Sequence, residues 1–194
     1  MKSHFLQRAC AYLIDAMLVT LVISLITVWM PKSNKYEEAD KREQELMEKV
    51  SNNEVKLNDV YDEILEINYI KDKETIIVSL LTTVATLGYF ATYAFYKDGQ
   101  TLGKKLMHIK VVSEEGELTH NQMFLRTLIA QGSLSSIISM FLLMFISSKQ
   151  YVSVFVVQAI QSVLLIAIVF MIIFRKDKKG LHDIIFKTQV ISTK

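Results

Sequence analysis

One cysteine, one proline and six glycines are all that this 194-residue chain holds of those three residue types. A lone Cys10 excludes an intramolecular disulfide and any cysteine-based metal site. So little Pro and Gly argues against a β-rich or collagen-like chain. The four histidines, His4, His108, His120 and His182, are scattered, and no His/Cys/carboxylate group has metal-ligand spacing. No Ser-His-Asp or Cys-His arrangement stands out, so neither catalysis nor a cofactor is expected. The net charge is only +2, and the basic residues lack the interleaved aromatics of a nucleic-acid surface.

Apolar residues are what the chain has in abundance, at 51%. They gather in four runs, at about 9–30, 75–96, 127–147 and 151–174. Each is near the roughly 20 residues that a bilayer-spanning helix needs. The expected fold is therefore an all-α membrane protein with four transmembrane helices. The third run is the most polar, with Gln131, Gly132, Ser133, Ser135 and Ser136, which suits a tilted or partly lumen-facing helix. The first lacks a small-residue cleavage site and runs into Trp29-Met30-Pro31 and then charges. It reads as an uncleaved span rather than a signal peptide.

Charge sets the orientation. The N-terminus (Lys2, Arg8), the connection 97–126 (Lys97, Lys104, Lys105, Lys110, Arg126) and the tail 175–194 (Arg175, Lys176, Lys178, Lys179, Lys187, Lys194) hold 13 basic residues. A four-span chain puts all three on one side. The other side receives Lys149 and the loop 31–73, which carries 8 basic and 12 acidic residues. The basic side is expected to be cytoplasmic, with both termini inside and the protein in the cell membrane.

The acidic loop lacks Gly and is rich in helix formers, with a break at Ser51-Asn52-Asn53. Beyond the break, Leu57, Val60, Tyr61 and Ile64 follow helical spacing. Two short helices forming an extracytoplasmic cap are expected. In the connection, residues 106–112 are β-branched and meet a turn signal at Glu114-Glu115-Gly116-Glu117. Residues 184–191 have similar character, and the two segments would pair into a small cytoplasmic β-element. The division is thus one membrane domain, 1–194, with an insertion at 31–73, a connection at 97–126 and a tail at 175–194.

Asp15 is a carboxylate inside the first apolar run. Such a group is costly in a bilayer unless it is paired, protonated or wetted. Arg8 lies two helical turns earlier on the same face, too far for an easy direct bond. Arg126, at the start of the third span, is a candidate partner for Asp15. Asp15 would serve either as a proton or ion site or as half of a buried ion pair that fixes helix packing. Gln131, Gln158 and Gln161 are further intramembrane polar groups, suited to a polar path or to inter-helix hydrogen bonds. The segment Gly99-Gln100-Thr101-Leu102-Gly103-Lys104-Lys105 fails the phosphate-loop spacing. It suits a turn that brings Lys104 and Lys105 to anionic headgroups. His182 beside Asp183 would relay protons or hold the tail by a hydrogen bond.

Four segments, QRACAYLIDAMLV, DGQTLGKKLMHIKVV, LRTLIA and KKGLHDIIFKTQVI, occur in an order that resembles the RDD family of bacterial membrane proteins. Arg8 matches the Arg of the family name, Asp15 the first Asp, and Asp183 the second. The acidic loop falls outside the resemblance and looks like an insertion. The resemblance implies transport, with cation/proton exchange among the suggestions, or accessory roles beside membrane proteases or other assemblies. Two readings follow. In one, the chain is a small oligomeric transporter or channel-like protein for protons, cations or a small solute, with Arg8, Asp15, Arg126 and Asp183 as its ion-coupling groups. In the other, it is a non-catalytic membrane adaptor or regulator that binds a membrane protease or envelope enzyme through residues 31–73.

Overall fold

The computed structural model describes residues 5–193; Lys2, His4 and Lys194 lie outside the described residues. Helix α1 runs Phe5–Thr27. A hairpin follows, of α2 (Asn34–Ser51) and α3 (Tyr61–Glu74). Helix α4 runs Ile76–Tyr96, then come the short α5 (Leu102–Leu106) and strand β1 (Ile109–Ser113). Helices α6 (His120–Ala130), α7 (Ser133–Phe145) and α8 (Val152–Phe174) follow. The chain closes with α9 (Leu181–Ile185) and strand β2 (Thr188–Ser192).

Three helices are long and apolar enough to cross a membrane: α1, α4 and the stretch Ser148–Phe174 that contains α8. The pair α6–α7, bent by 69°, makes a fourth if it is one span. The outward faces carry Leu13, Met17, Leu21, Leu25, Leu80, Val84, Ile160, Val163 and Phe170, all exposed. In water this surface would be strongly unfavourable, and a lipid bilayer is the solvent that matches it.

The third apolar run is where the structure departs most from a straight helix. The helix starts at His120, where Thr119 caps its end by accepting from the Gln122 N–H at 3.2 Å. It stops at Gln131, and Gly132 takes a left-handed φ of 71°, a conformation that glycine adopts without steric cost. The backbone freed by the break finds partners locally. Ser135 and Ser136 donate to the Gly132 carbonyl, and Gln161 of α8 donates to the Ile129 carbonyl at 3.4 Å. Such compensation is what allows a broken helix inside a membrane.

Helix α4 widens into a π-helical stretch at Gly88–Tyr93. This local change of pitch turns Tyr89 toward α1 and leaves the Phe90 carbonyl to accept from Thr127 Oγ1 at 3.3 Å.

The hairpin is a small domain-like unit with its own core of Ala39, Leu46, Val60 and Ile67. Ser33 caps α2, and Lys71 of α3 reaches back to Asp40 and Glu43 of α2 at 2.7 and 2.5 Å. The apolar face expected along Leu57, Val60, Tyr61 and Ile64 is split. Val60 and Ile64 pack into the hairpin, whereas Leu57 and Tyr61 stand 54% and 51% exposed. The hairpin docks on the α7–α8 corner through Leu65 against Leu143, Tyr151 and Val154. Tyr151 donates to Asp72 at 2.5 Å and Tyr69 to the Ile146 carbonyl at 3.1 Å.

At the opposite end, β1 and β2 form a two-stranded antiparallel sheet with Val111 opposite Val190. Its buried side meets Ala11, Ala94 and Met123, so the sheet caps the ends of α1, α4 and α6. The β-element expected from residues 106–112 and 184–191 is therefore present, beginning about three residues later in each segment.

Candidate functional site

Two carboxylates organise the end of the bundle that carries the sheet. Asp15 is 1% exposed and Asp183 is wholly buried. Each is the centre of a separate knot of hydrogen bonds.

Asp15 accepts from three donors brought by two other segments. Tyr89 of α4 donates to Oδ1 at 2.6 Å, the Gly103 N–H donates to the same oxygen at 2.7 Å, and Thr101 donates to Oδ2 in a short bond. Thr101 also caps α5, accepting from the Lys104 N–H at 3.4 Å, and the Leu102 N–H donates to Tyr89 Oη at 3.1 Å. The carboxylate thus fastens α5 flat against α1. Gly103 makes this closeness feasible. A Cβ there would stand 2.2 Å from the Ala11 carbonyl oxygen and 2.8 Å from Asp15 Cγ. Gly99 serves the same segment, since a Cβ at its φ of +78° would meet the Val111 carbonyl oxygen at 2.1 Å.

Asp183 is held from three directions. Arg8 of α1 donates to Oδ2 at 3.1 Å, and Arg126 of α6 approaches Oδ1 through Nε at 3.0 Å and through its terminal nitrogen at 2.9 Å. The Gly180 N–H completes Oδ2 at 3.1 Å, and Thr188 adds a longer bond to Oδ1. Burial by itself would raise the Asp183 carboxyl; Arg126, His182 and Arg8 more than reverse this and hold it below the usual carboxylate range. His182 Nε2 accepts from Arg126 at 3.2 Å, since a guanidinium only donates. Burial, then the charge of Arg126, push the His182 imidazole down to about 3, so the ring is neutral with its proton on Nδ1.

The expected partners are therefore redistributed. Neither Arg8 nor Arg126 pairs with Asp15; both pair with Asp183, because α9 carries that residue between the ends of α1 and α6. Asp15 is satisfied by neutral donors instead. Tyr89 and Thr101 are the residues that sequence reasoning missed. Thr101, just ahead of Leu-Gly-Lys-Lys, had a readable cap signature. Nothing local marked Tyr89, which depends on the π-helical stretch.

Among the other polar residues, Gln158 donates to Ser139 at 3.1 Å and Gln161 to the Ile129 carbonyl, both across helices. Gln131 is half-buried and ends α6. Lys104 is half-buried and Lys105 exposed, so the adjacent lysines have different surroundings. Two open grooves, of about 470 and 380 Å³, lie beside the sheet and at the outer end of α1, and neither is lined by Asp15 or Asp183. Among the described residues no group of His, Cys, Asp and Glu is placed to hold a metal ion.

No curated protein and no solved structure matches the chain. The model of the RDD family matches residues 2–187, which takes in both knots and nearly the whole chain. By that match the chain belongs to the RDD family, as a membrane protein built on apolar helices.

Proposed function

We propose that this chain is a non-catalytic membrane adaptor of the cell membrane. Its termini and sheet lie on the cytoplasmic side, and its acidic hairpin stands outside as the docking element. The sidedness rests on the basic residues clustered around the sheet end and the acidic excess of the hairpin. The observation that carries the adaptor reading is the state of Asp15. A carboxylate serving as an ion or proton centre needs access and a free coordination position. Asp15 is instead saturated by Tyr89, Thr101 and Gly103 and walled by Ala11. Asp183 is likewise filled by two arginines and a backbone N–H. Both carboxylates act as fasteners.

The hairpin, by contrast, is rigidly docked and keeps apolar side chains outward, namely Leu57, Tyr61 and Met47. On a surface of acidic residues these would be anchors for a membrane-protein partner with an apolar, basic-rimmed patch. Site-specific photocrosslinking from position 57 or 61 in cells tests this. A discrete crosslinked membrane protein, lost on Leu57→Glu or Tyr61→Glu with the fold unchanged, is the expected result. Crosslinks only to lipid, together with cation or proton flux from purified protein in liposomes, would replace the adaptor reading with the transporter one.

A further inference from the structure

Neither knot uses the side chain of Lys104. Its backbone N–H is taken by Thr101, but its ammonium makes no hydrogen bond or ion pair among the described residues. The side chain is half-buried, and the charges that act on it are Arg126, Asp15, Asp183 and Arg8. Both carboxylates in that set are already occupied, Asp15 by three donors and Asp183 by two guanidiniums and an N–H. Three cations therefore face two carboxylates, and one positive charge is left over. A second donor in the same cluster also lacks an acceptor, for His182 Nδ1 is buried without a partner. Buried donors without acceptors are costly, and a cationic surplus recruits an anion.

The setting of Lys104 indicates which anion. It lies on α5, whose Leu102 and Leu106, one helical turn apart, are 40% and 65% exposed, with Lys105 exposed beside them. An apolar strip bordered by lysines at the end of a membrane bundle matches a lipid, with acyl chain on the leucines and phosphate on the ammonium.

We propose that Lys104 anchors a binding site for the phosphate of an anionic phospholipid, with Lys105 at its rim and Leu102 and Leu106 along the chain. Lysine acts on phosphate as a point charge and needs no fork geometry. Burial and Arg126 lower the free ammonium to about 7. A phosphate beside it raises it again, so lipid and proton would bind to Lys104 in support of each other. The site is independent of the partner-docking role of the hairpin.

Native mass spectrometry of the delipidated full chain in detergent tests the site, with phosphatidylglycerol and phosphatidylcholine as probes and inorganic phosphate as competitor. Wild type should retain phosphatidylglycerol about fivefold over phosphatidylcholine, the contribution of one lysine near a headgroup. Lys104→Met should abolish the preference, and Lys105→Met should lower it less. Where Lys104→Met loses helical content by circular dichroism, Lys104→Gln takes its place. An absent preference in wild type, or an intact one in the folded Lys104 variant, overturns the site. Displacement of phosphatidylglycerol by inorganic phosphate alone overturns the lipid assignment in favour of a soluble phosphate.

Discussion

Asp183 is the residue on which the sheet end depends most. Its removal leaves Arg8 and Arg126 side by side, buried and without their shared counter-charge. Stripping one partner from a buried ion cluster typically costs about 3–5 kcal/mol. Asp183→Asn should therefore destabilise the protein by about that amount in a thermal unfolding series in detergent, and more than Gln158→Ala does. Gly103→Ala should be at least as damaging, because the Ala11 backbone cannot retreat from a Cβ. His182 supplies a pH dependence. In the folded chain its pKa is lowered to about 3, whereas an unfolded histidine titrates near 6.5. Protons then bind the unfolded chain preferentially, so this stability is complete above about pH 6.5 and is lost as pH falls toward 3. Between pH 7 and 5 the loss should be about 2 kcal/mol. His182→Gln should flatten that slope; an unchanged slope would mean that the imidazole is not held neutral. The Asp183 carboxyl, lowered as it is, contributes stability that is lost only at more acid pH, outside this window.

Among the elements, the bent pair α6–α7 shows what the sequence disclosed and what it concealed. The serines, Gln131 and Gly132 marked the segment as unusual, but they do not state an angle. The 69° bend follows from a left-handed Gly132 together with a glutamine from another helix that takes up the freed carbonyl. Gly132→Ala should cost about 1 kcal/mol or more from the left-handed backbone alone. A Cβ there meets only Gln161 at ordinary contact distance, so Gly132→Asn should be tolerated better. Thermal unfolding of the two variants checks this, and equal stabilities would contradict it. The spans and the strand pairing were legible because each rests on local composition. The partners of Asp15 were not, since Tyr89 and Gly103 reach it from 74 and 88 residues away. The Arg8 and Arg126 assignments failed for the same reason: a charge pattern lists candidate partners, and helix packing selects among them.

The whole molecule has two ends with different constructions. The hairpin end is fixed by an apolar core and by Tyr151–Asp72 and Tyr69–Ile146, and the sheet end by the Asp15 and Asp183 knots. The family motif lies at the sheet end, where Arg8, Asp15 and Asp183 tie the two termini of the described chain to the middle connection. That placement explains why charged residues persist at the mouth of an apolar bundle: they close one end of it. Hydrogen exchange on wild type, Asp15→Asn and Asp183→Asn, read peptide by peptide, tests this directly. Fastener carboxylates predict selective loss of protection. Residues 101–106 should open in Asp15→Asn, and strands β1 and β2 should open in Asp183→Asn, while α8 and the hairpin stay protected in both. Unchanged protection at the sheet end in both variants would contradict the account and return these carboxylates to a role in ion movement.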